Sequence, residues 1–168
     1  MLVYWHKASL ILFWRNKTMG YNDAIIRWTK IATILFMVMA VVADVFGIVI
    51  TEYIALCWAG VSDVGSIATL AVVFYLGTVG GYVVLIALLK LLTNMSKDKV
   101  FDRANTKLMA VITGALAAIA VDCIVGGFVW NGAWILAIVA LFMALIVLSV
   151  KVVFDKAITM KEEMDLTI

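Results

Sequence analysis

All thirteen lysine and arginine residues of this 168-residue chain lie in segments on one side of four long apolar runs. The segments on the other side contain none. Positive charge marks the cytoplasmic side of a membrane protein, and about 20 consecutive apolar residues cross the bilayer as a helix. The sequence therefore predicts an all-α, integral membrane four-helix bundle whose N and C termini are both cytoplasmic.

The four predicted spans comprise residues 31–50, 66–89, 108–128 and 133–150. The connections between them are too short for a folded soluble domain, which needs upwards of about 50 residues. Residues 1–30 are predicted to form a cytoplasmic or interfacial segment, and residues 151–168 a cytoplasmic amphipathic helical tail. Within the first segment, residues 1–18 are either an interfacial helix or an extension ahead of a start at Met19.

Three local signals refine this topology. Asn131 and Gly132 predict a tight turn between the last two spans. Asp102 precedes the third span and is a predicted helix N-cap. The chain contains no proline, which argues against the interrupted helices that many transporters use.

Two aspartates, Asp44 and Asp122, fall inside apolar spans at the same depth, roughly 12–13 Å below the outer aromatic residues at 1.5 Å per residue. A charged aspartate at mid-membrane costs at least about 2.5–3.5 kcal/mol, so both side chains should face the bundle interior or water. Together with Glu52 and Asp63 they predict an acidic pocket, open to the outer side, that accepts a cation, a proton or a basic peptide.

A structural role for the two carboxyl groups remains an alternative. In that case neutral aspartates form hydrogen bonds with Thr69, Thr78 or backbone carbonyls of neighbouring helices. Replacing Asp44 with Asn should then be harmless, whereas it should abolish ligand dependence if the pocket binds a ligand.

Small residues at four-residue spacing predict faces on which membrane helices pack closely. In the third span this ridge comprises Ala110, Gly114, Ala118, Asp122 and Gly126, and the second span carries Gly77 and Gly81. Two uses remain open: packing inside a single bundle, or homo-oligomerisation through Gly77 and Gly81.

Catalytic and cofactor-binding motifs are missing from the sequence. The single histidine, His6, lies in the N-terminal segment, and Cys57 and Cys123 do not form a CxxC pair. No GxxxxGK, HExxH or GxSxG pattern occurs. We therefore expect no metal, no cofactor and no enzymatic activity.

Two patterns are typical of one family. The segment Leu91–Asn105 follows LLxNxxKxxVFxxxN, and Phe142–Ile168 follows FMxLI…VKxVFxxAxxxKEExDxTI. With a weaker match at Ala43–Gly47, they resemble a bacterial family of four-helix membrane proteins of unknown function, from about Met19 onward. Its members are often encoded beside a small helix-turn-helix regulator, so the resemblance implies a membrane-bound signalling or sequestering partner.

The candidate partner-docking residues lie in the middle loop and the tail: Phe101, Asn105, Lys161, Glu162, Glu163 and Asp165. The sequence favours a regulatory or sensor protein of the bacterial cytoplasmic membrane that engages a cytosolic regulator. The alternatives are a small cation- or proton-coupled transporter or channel using Asp44 and Asp122, and an accessory or immunity subunit. Direct nucleic-acid binding is not expected, because anionic lipid headgroups are the natural counter-charge for interfacial basic residues.

Overall fold

A computed structural model of the chain describes the backbone of residues 2–97 and 102–165, and the side chains of residues 24–97 and 102–164. The elements are α1 (Leu2–Val45), α2 (Gly47–Tyr53), a π-helical turn (Ile54–Ala59), α3 (Val64–Met95), α4 (Arg103–Gly127) and α5 (Gly132–Asp165). Within the described part of the chain, four helical segments are long and apolar enough to cross a membrane: Ala24–Val45, Val64–Met95, Arg103–Gly127 and Gly132–Met164. The predicted all-helical membrane bundle is confirmed.

The helices pack in the order in which they follow one another along the chain. The most extensive contact joins α4 and α5, the next joins α3 and α4, and α1 and α2 both pack against α3. Among the described residues, α1 contacts neither α4 nor α5. The bundle is therefore open, and most of the apolar surface of α1 and α5 faces outwards.

The α4–α5 hairpin is held by a stripe of small side chains that the sequence analysis overlooked. Four buried alanines of α5 recur after four, three and four residues: Ala133, Ala137, Ala140 and Ala144. This spacing keeps them on one face, where small side chains let two membrane helices approach closely. At the connection, the amide of Trp130 donates to the Gly126 carbonyl at 2.9 Å, and α5 begins at Gly132, which confirms the predicted turn.

The described basic side chains gather at one end of the bundle, called here the basic end. The ammonium group of Lys30 donates to the hydroxyl of Ser96 at 2.9 Å, which places the start of the first apolar segment beside the end of α3. Arg103 at the start of α4 pairs with Glu162 near the end of α5. Asp102 caps α4, because its carboxylate accepts a hydrogen bond from the amide of Ala104 at 2.9 Å, as predicted.

The first apolar segment differs from the prediction. Its helix stops at Val45 instead of continuing to Ile50, and helical structure then resumes through the predicted connection as far as Ala59. Gly60, with φ of 68°, ends the π-helical turn in the left-handed conformation, which glycine adopts at little cost. The chain thus contains an interrupted transmembrane segment without any proline.

Candidate functional site

The interruption in the first transmembrane segment lies directly beside Asp44. Phe46 has φ −95° and ψ 6°, outside the helical region, and separates α1 from α2. Gly47 follows, and a Cβ on Gly47 would lie 2.8 Å from both Cε1 of Phe74 and Oη of Tyr75. A side chain at this position would therefore require Phe74 and Tyr75 to move, so α2 begins in close contact with α3.

Two tyrosines of α3 hold Asp44. The hydroxyl of Tyr82 donates to Asp44 Oδ2 at 2.8 Å, and the hydroxyl of Tyr75 donates to the backbone carbonyl of Asp44 at 3.2 Å. The two tyrosines are seven residues apart, so they lie on one face of the helix, two turns from each other. The other carboxyl oxygen, Asp44 Oδ1, is buried and has no hydrogen-bond partner among the described residues.

The threonines proposed as partners in a structural role are engaged elsewhere. Thr69 donates to the Gly65 carbonyl and Thr78 to the Tyr75 carbonyl, both at 2.9 Å within their own helix. The two tyrosines were not predicted from the sequence as partners of Asp44. Their signal was a pair of hydroxyl-bearing aromatics at helical spacing inside an otherwise apolar span.

Asp122 lies at a cavity of about 380 Å³ between the helices near the end opposite the basic end. The lining is mainly apolar, and its polar members are Thr51, Thr78, Asp122, Cys123 and Trp130. Asp122 Oδ2 is buried and has no hydrogen-bond partner among the described residues. Gly77 leaves room for this oxygen, since a Cβ there would lie 3.4 Å from it.

The two aspartates contact α3 at the same level but on different faces. Asp44 contacts Tyr75 and Tyr82, and Asp122 lies against Gly77. At 100° per residue, Gly77 points roughly opposite to the two tyrosines. The lining of the cavity includes Asp122 but not Asp44, so α3 separates the two carboxyl groups that the sequence analysis placed in one pocket.

The other two predicted pocket acids do not line the cavity either. Glu52 is exposed on α2. Asp63 is the N-cap of α3, because its Oδ2 accepts a hydrogen bond from the amide of Ser66 at 2.8 Å. This backbone hydrogen bond, followed by one from the Ser66 side chain, lowers the pKa of Asp63 below its usual value of 3.8, since it stabilises the charged form.

Of the glycines predicted to pack against other helices, some lie close to a neighbouring helix and others do not. A Cβ on Gly126 would lie 3.0 Å from Val73 Cγ1, whereas a Cβ on Gly81 or Gly114 would meet no atom within 4 Å. Ala110 and Ala118 are exposed as well. Among the glycines of α3 and α4, Gly80 leaves the least room for a Cβ against the other helix, since it would lie 2.6 Å from Ile119 Cγ1. The small-residue ridge of α4 is mostly exposed and faces away from its neighbours.

At the basic end, Asn105 is structural. Its side chain is fully buried, and its Oδ1 accepts a hydrogen bond from Asn94 Nδ2 at 2.9 Å, which links α4 to the end of α3. A fully buried side chain is not available to an incoming protein, so this placement does not support the predicted docking role.

The remaining docking candidates of the tail have different environments. Glu162 is engaged by Arg103 in a two-point ion pair with distances of 2.6 and 2.9 Å. Lys161 and Glu163 are exposed. Phe101 and the side chain of Asp165 lie outside the described residues.

The tail of α5 also presents an apolar stripe. Val153, Met160 and Met164 are 65%, 63% and 64% exposed, and their spacing of seven and four residues places them on one face. The opposite face carries Ile158, which is buried, and Glu162. The docking residues predicted for the tail were charged, so they did not include this stripe. The signal for it in the sequence is the helical spacing of apolar residues.

Four membrane-length apolar helices, packed in sequence order with buried carboxyl groups between them, define a multi-pass α-helical membrane protein. The chain belongs to the protein family of unknown function DUF2975, whose model matches residues 51–168. The family resemblance is confirmed over this range, but the match does not reach back to Met19 or to the Ala43–Gly47 segment. No curated protein and no solved structure matches the chain.

Proposed function

We propose that this protein is a membrane-bound regulatory or sensor partner without catalytic chemistry, which engages a cytosolic regulator through the tail of α5. The basic end faces the cytoplasm in this proposal, because all thirteen lysines and arginines lie in segments on that side. Both termini are then cytoplasmic, and the cavity beside Asp122 opens towards the outer half of the membrane.

The length of α5 supports a cytoplasmic docking element. Its 34 residues span about 51 Å at 1.5 Å per residue, whereas the hydrocarbon core is about 30 Å thick. The apolar part ends at Val150, so the helix continues for about 22 Å beyond it. Met160 and Met164 therefore lie well outside the hydrocarbon core, where lipid does not cover them.

The exposed stripe of Val153, Met160 and Met164 is the observation that carries the proposal. Methionines on an exposed helix face are typical of adaptable protein-docking surfaces. An apolar stripe standing in water costs free energy unless a partner covers it. A cytosolic protein with a complementary apolar groove is the occupant that fits.

The opposite face of the tail keeps the stripe in place. Ile158 is 4% exposed, Lys151 pairs with Asp155 at 2.7 Å, and Arg103 pairs with Glu162 at 2.6 Å. The Arg103–Glu162 pair joins the tail to the start of α4, whereas the Lys151–Asp155 pair lies within α5, one turn apart. A partner then binds a helix that is already ordered, which lowers the entropic cost of association.

The test is co-purification with cytosolic proteins from the native host. Tagged full-length protein carrying Met160→Gln and Met164→Gln should lose its partner, because the stripe becomes polar while helix propensity is kept. A matched control carries Lys156→Gln and Lys161→Gln, two substitutions in the same exposed tail that leave the stripe intact. A chain truncated after Val153 should also lose the partner.

Two results would discard the proposal: the methionine variant retains every partner of the wild type, or the truncated chain does. A partner that depends on the control lysines instead of the methionines would also count against the apolar stripe. From the family resemblance, we expect the captured partner to be a small helix-turn-helix regulator, and we expect no direct binding of nucleic acid by the membrane protein.

A second candidate function is cation- or proton-coupled transport. It is favoured by the cavity of about 380 Å³ and by the buried, unbonded Oδ2 of Asp122 that lines it. Ionisable residues within a membrane bundle commonly mark ion or proton pathways. In liposomes, proton flux lost with Asp122→Asn but kept with Glu52→Gln would favour transport, and absence of flux in the wild type would reject it.

An accessory or immunity subunit, or a homo-oligomer, is the third candidate. The open bundle favours it, because α1 and α5 do not contact each other among the described residues and leave apolar faces outwards. Isolation in mild detergent distinguishes these cases: a membrane partner in fixed stoichiometry supports the subunit role, and a larger mass of the chain alone supports self-association.

A further inference from the structure

A continuous cleft runs between α3 and α4, starting at the basic end. Its upper part is a groove of about 450 Å³ whose lining includes Lys90, Thr93, Asn94 and Lys107. Among the described residues, neither lysine forms an ion pair, and both are exposed. Two uncompensated positive charges therefore meet at one mouth of the cleft.

Below this mouth the cleft becomes a trough of about 480 Å³, whose lining is apolar except for Asp122 at its far end. Val111 lines both parts, so the trough continues the groove. Its floor includes Gly114 and Ala118, and a Cβ on Gly114 would meet no atom within 4 Å. The small-residue ridge of α4, which does not pack against another helix of this chain, thus forms an open channel along the membrane-facing surface.

We infer that this cleft binds one anionic phospholipid, with the phosphate between Lys90 and Lys107 and an acyl chain in the trough over Gly114 and Ala118. Basic pockets between transmembrane helices bind anionic headgroups. The inference does not depend on the proposed docking role of the tail.

The dimensions of the cleft fit this occupant. From Lys107 to Ala118 the helix rises by eleven residues, about 16 Å. One leaflet contributes half of a hydrocarbon core about 30 Å thick. A chain anchored at the two lysines therefore reaches the end of the trough. The apolar part of the trough, between Val111 and Ala118, suits the acyl chain, which ends short of Asp122. The lysines select the charge of the headgroup.

Native mass spectrometry of the full chain in mild detergent, titrated with phosphatidylglycerol and separately with phosphatidylcholine, tests the inference. The wild type should retain one phosphatidylglycerol and show no comparable retention of phosphatidylcholine. Lys90→Gln with Lys107→Gln should weaken retention about 25-fold, since each lysine near an anionic headgroup contributes about 5-fold. The matched control is Lys156→Gln with Lys161→Gln, which should leave retention unchanged.

A second variant tests the acyl chain separately. Gly114→Leu fills the trough and should reduce retention at least tenfold, whereas Gly81→Leu adds the same side chain at an open position outside the trough. Retention that is unaffected by either the lysine pair or Gly114→Leu overturns the inference. A dimer of the chain that dissociates with Gly114→Leu also overturns it, because the trough would then hold a second copy. Circular dichroism confirms that each variant is folded.

Discussion

Gly80 and Gly81 are adjacent in α3, yet the structure predicts opposite effects of the same substitution. A Cβ on Gly80 would lie 2.6 Å from Cγ1 and 3.1 Å from Cδ1 of Ile119, whereas a Cβ on Gly81 would meet no atom within 4 Å. Ordinary contacts between carbon atoms begin near 3.5 Å. Gly80→Ala therefore forces a displacement of about 1 Å between α3 and α4.

The loss of stability in Gly80→Ala depends on whether the side chain of Ile119 can move away. A β-branched side chain in a helix is largely restricted to one χ1 rotamer, so the backbones must separate. Overpacking of this kind costs about 1–3 kcal/mol. Gly81→Ala instead gains up to about 1 kcal/mol from helix propensity. Gly80→Ala should thus unfold below Gly81→Ala by roughly 2–16 °C for a chain of this size.

The assay is thermal unfolding of each purified variant in the same detergent, followed by circular dichroism. The double variant Gly80→Ala/Ile119→Ala provides the internal check. Because it removes the clashing side chain, its loss should be smaller than the sum of the two single losses. Equal melting temperatures for Gly80→Ala and Gly81→Ala would refute the α3–α4 register described above.

Three further predictions concern other polar contacts. Asn105→Ala should cost about 1–3 kcal/mol in thermal unfolding, because it empties a fully buried site and removes the bond to Asn94; an unchanged melting temperature would contradict this. Since the pKa of Asp63 is lowered below 3.8, its capping contribution is present above that pH and lost as the pH falls further. Wild-type stability should therefore drop more than that of Asp63→Asn between about pH 6 and pH 3, and parallel profiles would reject the cap. Tyr82→Phe should lower the melting temperature in the wild type but not in an Asp44→Val background; equal effects in both would show no coupling.

The sequence was sufficient for features that depend on neighbouring residues. The Asn131-Gly132 turn and the Asp102 cap depend on local backbone chemistry, and both are present. The four membrane-length helices follow from the lengths of the apolar runs. Each of these signals is complete within a few turns of chain, so no knowledge of the packing partners was needed.

Features that depend on which helices meet could not be predicted in the same way. Next to the break at Phe46, Gly47 closely approaches Phe74 and Tyr75, which are distant in sequence. A four-residue spacing of small residues predicts that the helix packs closely against another helix, but not which helix that is or which face it contacts. The pattern therefore indicated Gly81, whereas the contact with α4 lies at Gly80. For the same reason, equal depth of two aspartates did not reveal that α3 lies between them.

The packing order limits how a ligand in the cavity can influence the tail. Among the described residues, the first transmembrane segment packs against α3 and not against α4, whereas α4 itself carries Asp122 beside the cavity and Arg103 at the basic end. Asp122 and Arg103 are nineteen residues apart in one unbroken helix, about 28 Å. α5 also lines the cavity, through Ala133 and Leu136, and it carries the methionine stripe. In the proposed sensor, a shift or rotation of α4 or α5 would strain the ion pair between Arg103 and Glu162 and change the position of the stripe. Asp44, on the far face of α3, has no such direct connection, so substitutions at Asp122 should alter partner binding more than substitutions at Asp44.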